Sequence, residues 1–140
     1  MKDKFRFWFA TQNIRHFTAD ELIWYFYKHR AGVSNSFPPE NLWPNIIPTL
    51  RVLDKLRDYF DRPISISSTY RSPQYNAAIG GASKSFHCKF NAIDFTVQKV
   101  TPNAAAAILK EFRKKGDFKG GIGIYPSFVH VDTRGYNATW

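Results

Sequence analysis

Two histidines and an aspartate carry the most chemistry in this sequence. His87 stands where a polar stretch enters an alternating segment, and Asp94 follows seven residues later between apolar neighbours. His130 lies inside the run Phe128-Val129-His130-Val131-Asp132. Zinc accepts imidazole nitrogen and carboxylate oxygen, and a catalytic site with three protein ligands keeps a fourth position for water. A carboxylate in a buried strand is costly, on the order of several kcal/mol, unless a cation or hydrogen bonds compensate it. Taken singly, each residue also reads as a satisfied polar side chain on the solvent face of a strand, and spacing alone leaves both readings open. Cys88, the sole cysteine, adjoins His87 and invites a thiol-based site. An isolated cysteine is more often a small buried hydrophobe.

The elements that must position these residues are readable from pattern. Thr18-Ala19-Asp20-Glu21 has the form of a capping box, predicting an aromatic-rich helix to about Arg30 that closes at Ala31-Gly32. It is the first clear element, and a loop rich in Asn, Ser and Pro follows from Val33 to Pro44. Ile46, Ile47, Leu50, Leu53, Leu56 and Phe60 recur at helical spacing, giving a second helix that ends near Asp61-Arg62-Pro63. Ile64-Ser65-Ile66-Ser67 alternates with period two, as a half-buried strand does. A polar stretch from Ser68 to Ser85 holds Arg71, a short helical turn from Pro73, and Gly80-Gly81. A strand is expected over Phe90–Val97, and a helix from the Thr101-Pro102 cap to Gly116. Gly120–Ile124 and Phe128–Asp132 complete the strands. Two helices, then strands interrupted by another helix, predict one α+β domain over residues 1–140 with a mainly antiparallel sheet.

Composition sets the outer bounds. At 140 residues with 44% hydrophobic and 17% aromatic content, the chain is long and apolar enough to bury a core, which excludes a disordered tail. No apolar run reaches the ~20 residues of a membrane-spanning helix, so no stable membrane insertion is expected. The net charge of +9 predicts attraction to an anionic partner. Its only cluster, Lys110, Arg113, Lys114 and Lys115, suits a solvated helix face, and no nucleic-acid partner is expected. A single cysteine forbids an intrachain disulfide and fits a reducing compartment. The opening MKDKFRFWFATQNIRHF has neither a clean apolar stretch nor a small-residue cleavage site and reads as mature protein. The expectation is a monomer that stays inside the cell that makes it unless something else releases it.

An ordered set of segments resembles one family. Ser85-Phe86-His87-Cys88-Lys89-Phe90-Asn91-Ala92-Ile93-Asp94 is similar to the S-x-H-x-x-G-x-A-x-D signature of the zinc D-Ala-D-Ala carboxypeptidase family. That family belongs to the larger group containing lysostaphin-type endopeptidases and the hedgehog signalling domain. His16-Phe17-Thr18-Ala19-Asp20-Glu21-Leu22 resembles its opening F-T-x-x-E-L, and Pro63 to Ser72 resembles its P-I-x-I-x-S-x-Y-R-S segment. Asn76 and Gly80-Gly81 follow in order, and Phe128 to Asp132 resembles the F-V-H-V-D that supplies the last zinc ligand. The resemblance runs from about Phe17 to Trp140.

It implies a hedgehog/DD-peptidase-like fold and Zn2+ held by His87, Asp94 and His130. It further implies Arg71 as the cation that meets the scissile carbonyl oxygen and Ser85 as a substrate hydrogen-bonding group. Zinc lowers the pKa of bound water from ~15.7 to about 7, and an arginine keeps its charge and offers a fork of donors to an oxyanion. The implied activity is hydrolysis of peptide bonds next to D-amino acids in peptidoglycan, with a non-catalytic wall- or protein-binding module of the same fold as the alternative. Two departures stand out. The family glycine is Phe90 here, so the backbone is expected to take a conformation open to a bulky residue, with consequences for the cleft. Ser127 occupies the position, three before His130, where many members carry an acidic general base. Asp132, two residues beyond His130 on the same strand face, is the replacement base or else a partner that orients a ligand.

Overall fold

The computed structural model describes residues 1–140, and its first element is one the sequence pattern does not announce. Helix α1 (Lys2–Ala10) starts at Met1 without a side-chain cap, yet Phe5 and Phe9, four residues apart, fall on one face and are buried. Helix α2 (Ala19–Phe26) opens on the expected capping box, Thr18 Oγ1 accepting from Glu21 N at 3.3 Å and Glu21 Oε1 accepting from Thr18 N at 2.9 Å. It ends four residues before Arg30. Ala31 and Gly32 are not a helix stop; both have positive φ, 54° and 76°, and form the two-residue turn of a hairpin between β1 (His29–Arg30) and β2 (Val33–Ser34). Asn35 anchors the base of this hairpin, donating to the Tyr25 and Tyr70 carbonyls and accepting from Ser72 N. The expected loop from Val33 to Pro44 thus contains β2, and a 3₁₀ turn (Glu40–Asn45) leads out of it.

Helix α3 (Ile46–Phe60) buries the periodic residues that predict it, Phe60 only in part, and stops at Asp61, whose φ of 51° breaks the helical path before Pro63. Strand β3 (Ile64–Ser68), helix α4 (Pro73–Ala78), strand β4 (Ala92–Val97) and helix α5 (Pro102–Lys114) follow. Ser72 caps α4 and Thr101 caps α5, each with proline at the first helical position. Strands β5 (Gly121–Ile124), β6 (Val129–Asp132) and β7 (Ala138–Thr139) complete a sheet of order β3-β4-β6-β5-β7. Every pairing is antiparallel except β5–β7. The α+β class with a mainly antiparallel sheet is therefore as expected, with β7 an addition.

Register decides which side chains meet. In the central β4–β6 pair, Asp94 stands opposite His130 and Ala92 opposite Asp132. Residues two apart share a sheet face, so Asp94, His130 and Asp132 point one way while Ile93, Phe95, Val129 and Val131 point the other. The second set belongs to a core of 28 buried residues that reaches from Phe5 in α1 to Val131 in β6. No helix is long and apolar enough to cross a membrane.

Candidate metal centre and active site

His87, Asp94 and His130 come from a 3₁₀ turn (Phe86–Lys89), β4 and β6, and all three are buried. One donor atom from each lies within 4.8 Å of the others. His87 Nδ1 is 2.7 Å from the Thr69 carbonyl, which only accepts, so Nδ1 carries the hydrogen and Nε2 turns toward Asp94 Oδ1 at 3.2 Å. His130 has the reverse arrangement. Its Nε2 is 2.7 Å from Asp132 Oδ2, and its Nδ1 faces the same Asp94 Oδ1 at 3.0 Å. In the neutral rings both remaining lone pairs point at a carboxylate, a repulsive arrangement that a cation between them converts into coordination. An outer hydrogen bond on each ring and an open set of two nitrogens and one oxygen is the donor chemistry zinc takes. The residues present fit such an ion.

The local field of the protein groups favours the ligating form at His87 and Asp94. Burial lowers the His87 pKa, favouring the neutral ring, with Asp94 only partly opposing. Burial would raise the Asp94 carboxyl, but hydrogen bonds with His130 and His87 overturn this and hold it below the usual carboxylate range. At His130 burial works toward lowering, and the hydrogen bonds to Asp132 and Asp94 outweigh it, so its pKa is raised.

Arg71 follows β3 and lies beside this cluster, Nη2 being 3.5 Å from Asp94 Oδ2. Its Nη1 donates to Asn76 Oδ1 at 3.3 Å, and Asn76 in turn donates to the Ala82 carbonyl at 2.8 Å. Arg71 Nε is buried without a partner. Ser85 caps the 3₁₀ turn, its Oγ accepting from His87 N at 3.2 Å, which leaves the hydroxyl hydrogen free to donate. All five residues line one cavity of about 670 Å³, whose aromatic wall includes Phe86, Tyr125, Phe128 and Trp140.

A sequence profile of the family described as Peptidase M15 matches residues 15–132. The chain belongs to the peptidase M15 family. Among curated proteins it is similar to peptidoglycan L,D-endopeptidase MepK of Escherichia coli (strain K12), 33% identical over 79 residues, or 51% of this chain and 41% of the relative. The protein of the same name from Shigella flexneri matches to the same extent. The chain thus spans less than half the length of these relatives.

The departures from the family motif have structural readings. Phe90 sits at φ 55°, in the left-handed region that glycine occupies freely, and not in a conformation open to bulky residues. Its ring is fully buried against Phe5, Phe26 and Tyr70, so it does not line the cavity or narrow it. Ser127 is exposed in the β5–β6 turn and does not line the cavity that holds the donor cluster; it lines a small separate pocket together with Val100 and Ala105. Asp132 is fully buried and absent from the cavity lining. Besides His130 it accepts from Gly121 N at 2.9 Å and from Arg134 Nε and Nη2 at 2.9 and 2.7 Å. Burial would raise its pKa, and His130, Arg134 and the Gly121 N–H lower it instead. A Cβ at Gly121 would stand 2.6 Å from Asp132 Oδ2, so the glycine keeps this pocket open.

Of the remaining polar residues, His16 pairs with Asp58, and His29 pairs with Ser34 on the wall of a neighbouring cavity that Asp94 also lines. Cys88 does not line the cavity, and burial raises its thiol pKa. Sequence reasoning does not single out Thr69, Arg134 or Trp140. Trp140 lies with its ring 5.1 Å from that of His130 and donates to Tyr125 Oη at 2.9 Å. The run R-G-Y following Asp132 was the only available signal for Arg134, and a weak one.

Proposed function

We propose that this chain is a zinc-dependent peptidase that hydrolyses peptide bonds next to D-amino acids in peptidoglycan stem peptides or cross-links. The observation that carries the reading is the convergence of His87, Asp94 and His130 beside Arg71 in one cavity. The name of the MepK relatives, a peptidoglycan endopeptidase, supports the substrate class. When bound, zinc supplies Lewis acidity and makes a water nucleophilic at neutral pH.

The remaining work falls to side chains. Arg71, always charged and steadied by Asn76, meets the carbonyl oxygen as negative charge grows on it. Its buried, unpartnered Nε marks a guanidinium whose hydrogen-bonding capacity is not used up within the protein. Ser85 donates its free hydroxyl hydrogen to the substrate backbone. Thr69 and Asp132 fix the two imidazoles, so Asp132 acts by orienting His130 and not by taking a proton from substrate water.

A non-catalytic module of the same fold is favoured by one observation: Asp94 is the only carboxylate in the cavity lining, which leaves no second one to serve as general base. The two readings separate on purified peptidoglycan. A peptidase releases new peptide ends, detected by mass spectrometry, loses this on chelation and regains it with zinc. A folded, zinc-loaded sample that binds wall and releases nothing is the binding module.

A further inference from the structure

The cavity holding the donor cluster does not end there. A second cavity of about 620 Å³ adjoins it and shares Arg30, Arg71, Ile79, Asp94 and Phe128 as walls. It runs toward α2 and the hairpin, where Trp24, Tyr25 and Tyr75 give it apolar sides and Lys28 lies 4.3 Å over the Trp24 ring. Asp94 of the donor cluster therefore stands where the two cavities meet, with space on either side of it. Across both cavities the groove has one carboxylate, Asp94, against Lys28, Arg30, Arg71, Lys84 and Arg134. Arg134 is committed to Asp132, and Arg71 faces Asp94. Arg30 and Lys84 are exposed and form no ion pair. Arg30 stands at the junction of the two cavities, on a strand whose hairpin Asn35 ties to the backbone on either side of Arg71.

From this we infer that the groove takes an extended anionic peptide through both cavities, with Arg30 receiving one of its carboxylates, so that the bond presented to the donor cluster is internal. This rests on the peptidase reading and deepens it: the enzyme is an endopeptidase selective for acidic peptides. Water oxygen adds to the internal carbonyl carbon, the C–N bond breaks, the departing nitrogen takes up the proton that the water gives up, and two peptides leave, one with a new carboxyl end and one with a new amino end. A guanidinium at the junction draws a carboxylate by a charge-assisted, two-pronged contact. An unpaired, exposed cation loses little when the partner is absent, so the contribution is read in substrate affinity.

The test uses the full chain, wild type and Arg30→Ala. The probes are a cross-linked stem peptide with free carboxylates and the same peptide with its carboxylates amidated. Binding is followed by tryptophan fluorescence in metal-free protein, and cleavage by mass spectrometry after zinc loading. Wild type should bind the free-acid peptide roughly tenfold more tightly than the amidated one, and Arg30→Ala should lose most of that difference. Cleavage should yield fragments from both sides of an internal bond. Equal binding of the two peptides by wild type, or an undiminished preference in Arg30→Ala, overturns the inference, as does release of a single terminal residue only. Preferential binding that depends on Arg30 but brings no cleavage upholds the anionic groove while sinking the peptidase reading and the internal cut together.

Discussion

At the scale of the residue, Asp132 decides how His130 behaves. Its carboxylate accepts from Nε2, which leaves Nδ1 as the lone pair aimed at Asp94 and the donor cluster. Replacing it with asparagine keeps the shape and, through Oδ1, the contacts to Gly121 N and Arg134 Nε, but the amide nitrogen at the Oδ2 position donates, which gives up the Arg134 Nη2 contact and pushes the His130 ring proton to Nδ1, into the metal position. Asp132→Asn should therefore weaken zinc binding about 10–100-fold and restore most of the activity once zinc is saturating. Competition against a chromophoric chelator gives the affinity, and peptide release gives the rate. A rate that stays lost at full zinc occupancy would instead make Asp132 the proton acceptor. The donor cluster was legible only in part from the residues themselves: Asp94 and His130, flanked by apolar neighbours, each ask for a compensating partner, but it is the resemblance of their segments to the family motifs that joins them with His87. Thr69 was not legible: the group it lends His87 is a backbone carbonyl, which every residue has.

At the scale of the element, Phe90 joins the metal-side turn to the rest of the fold. The left-handed backbone there costs a non-glycine residue about 1–2 kcal/mol. The ring offsets this by packing edge-on against Phe26 and Tyr70 and by reaching Phe5 of α1. Removing a buried aromatic ring costs about 3–5 kcal/mol, so restoring the family glycine with Phe90→Gly should destabilise the protein by roughly 2–3 kcal/mol despite relieving the backbone. Urea unfolding measures this, and a neutral or stabilising result would show that the backbone strain dominates. Phe90 and α1 also explain part of what the sequence conceals. Helices α2 and α5 carry side-chain caps that declare them, and α3 carries apolar spacing that does. Helix α1 has no cap, and its rings are held by partners far along the chain, Trp43 and Phe90 among them. The β1–β2 hairpin and β7 have two residues per strand, too short for any alternation to register, and they form where Asn35 and Trp140 meet backbone from elsewhere.

At the scale of the whole molecule, the net charge of +9 makes the few carboxylates matter to stability as well as to chemistry. On the surface, Asp58 of α3 ties down the segment before α2, hydrogen-bonded by Arg15 and lying 2.6 Å from His16 Nε2. The Arg15 hydrogen bonds, followed by that from His16, lower its pKa from 3.8 to about 2. A carboxyl whose folded pKa is depressed adds stability above its unfolded pKa, and this is lost as pH falls through the folded value. The window is therefore pH 4 down to pH 2, and over it the rising positive charge adds repulsion to the lost attraction. Asp58→Asn removes the titration, so its Tm should already be lower than wild type at pH 5 and should fall less steeply between pH 4 and pH 2. The group is fully exposed, and screening makes the effect modest and smaller still in high salt. Thermal melts across this range at low and high ionic strength measure both slopes. Parallel slopes for variant and wild type at low salt would mean that Asp58 titrates as a free carboxyl and that acid unfolding begins elsewhere in the molecule.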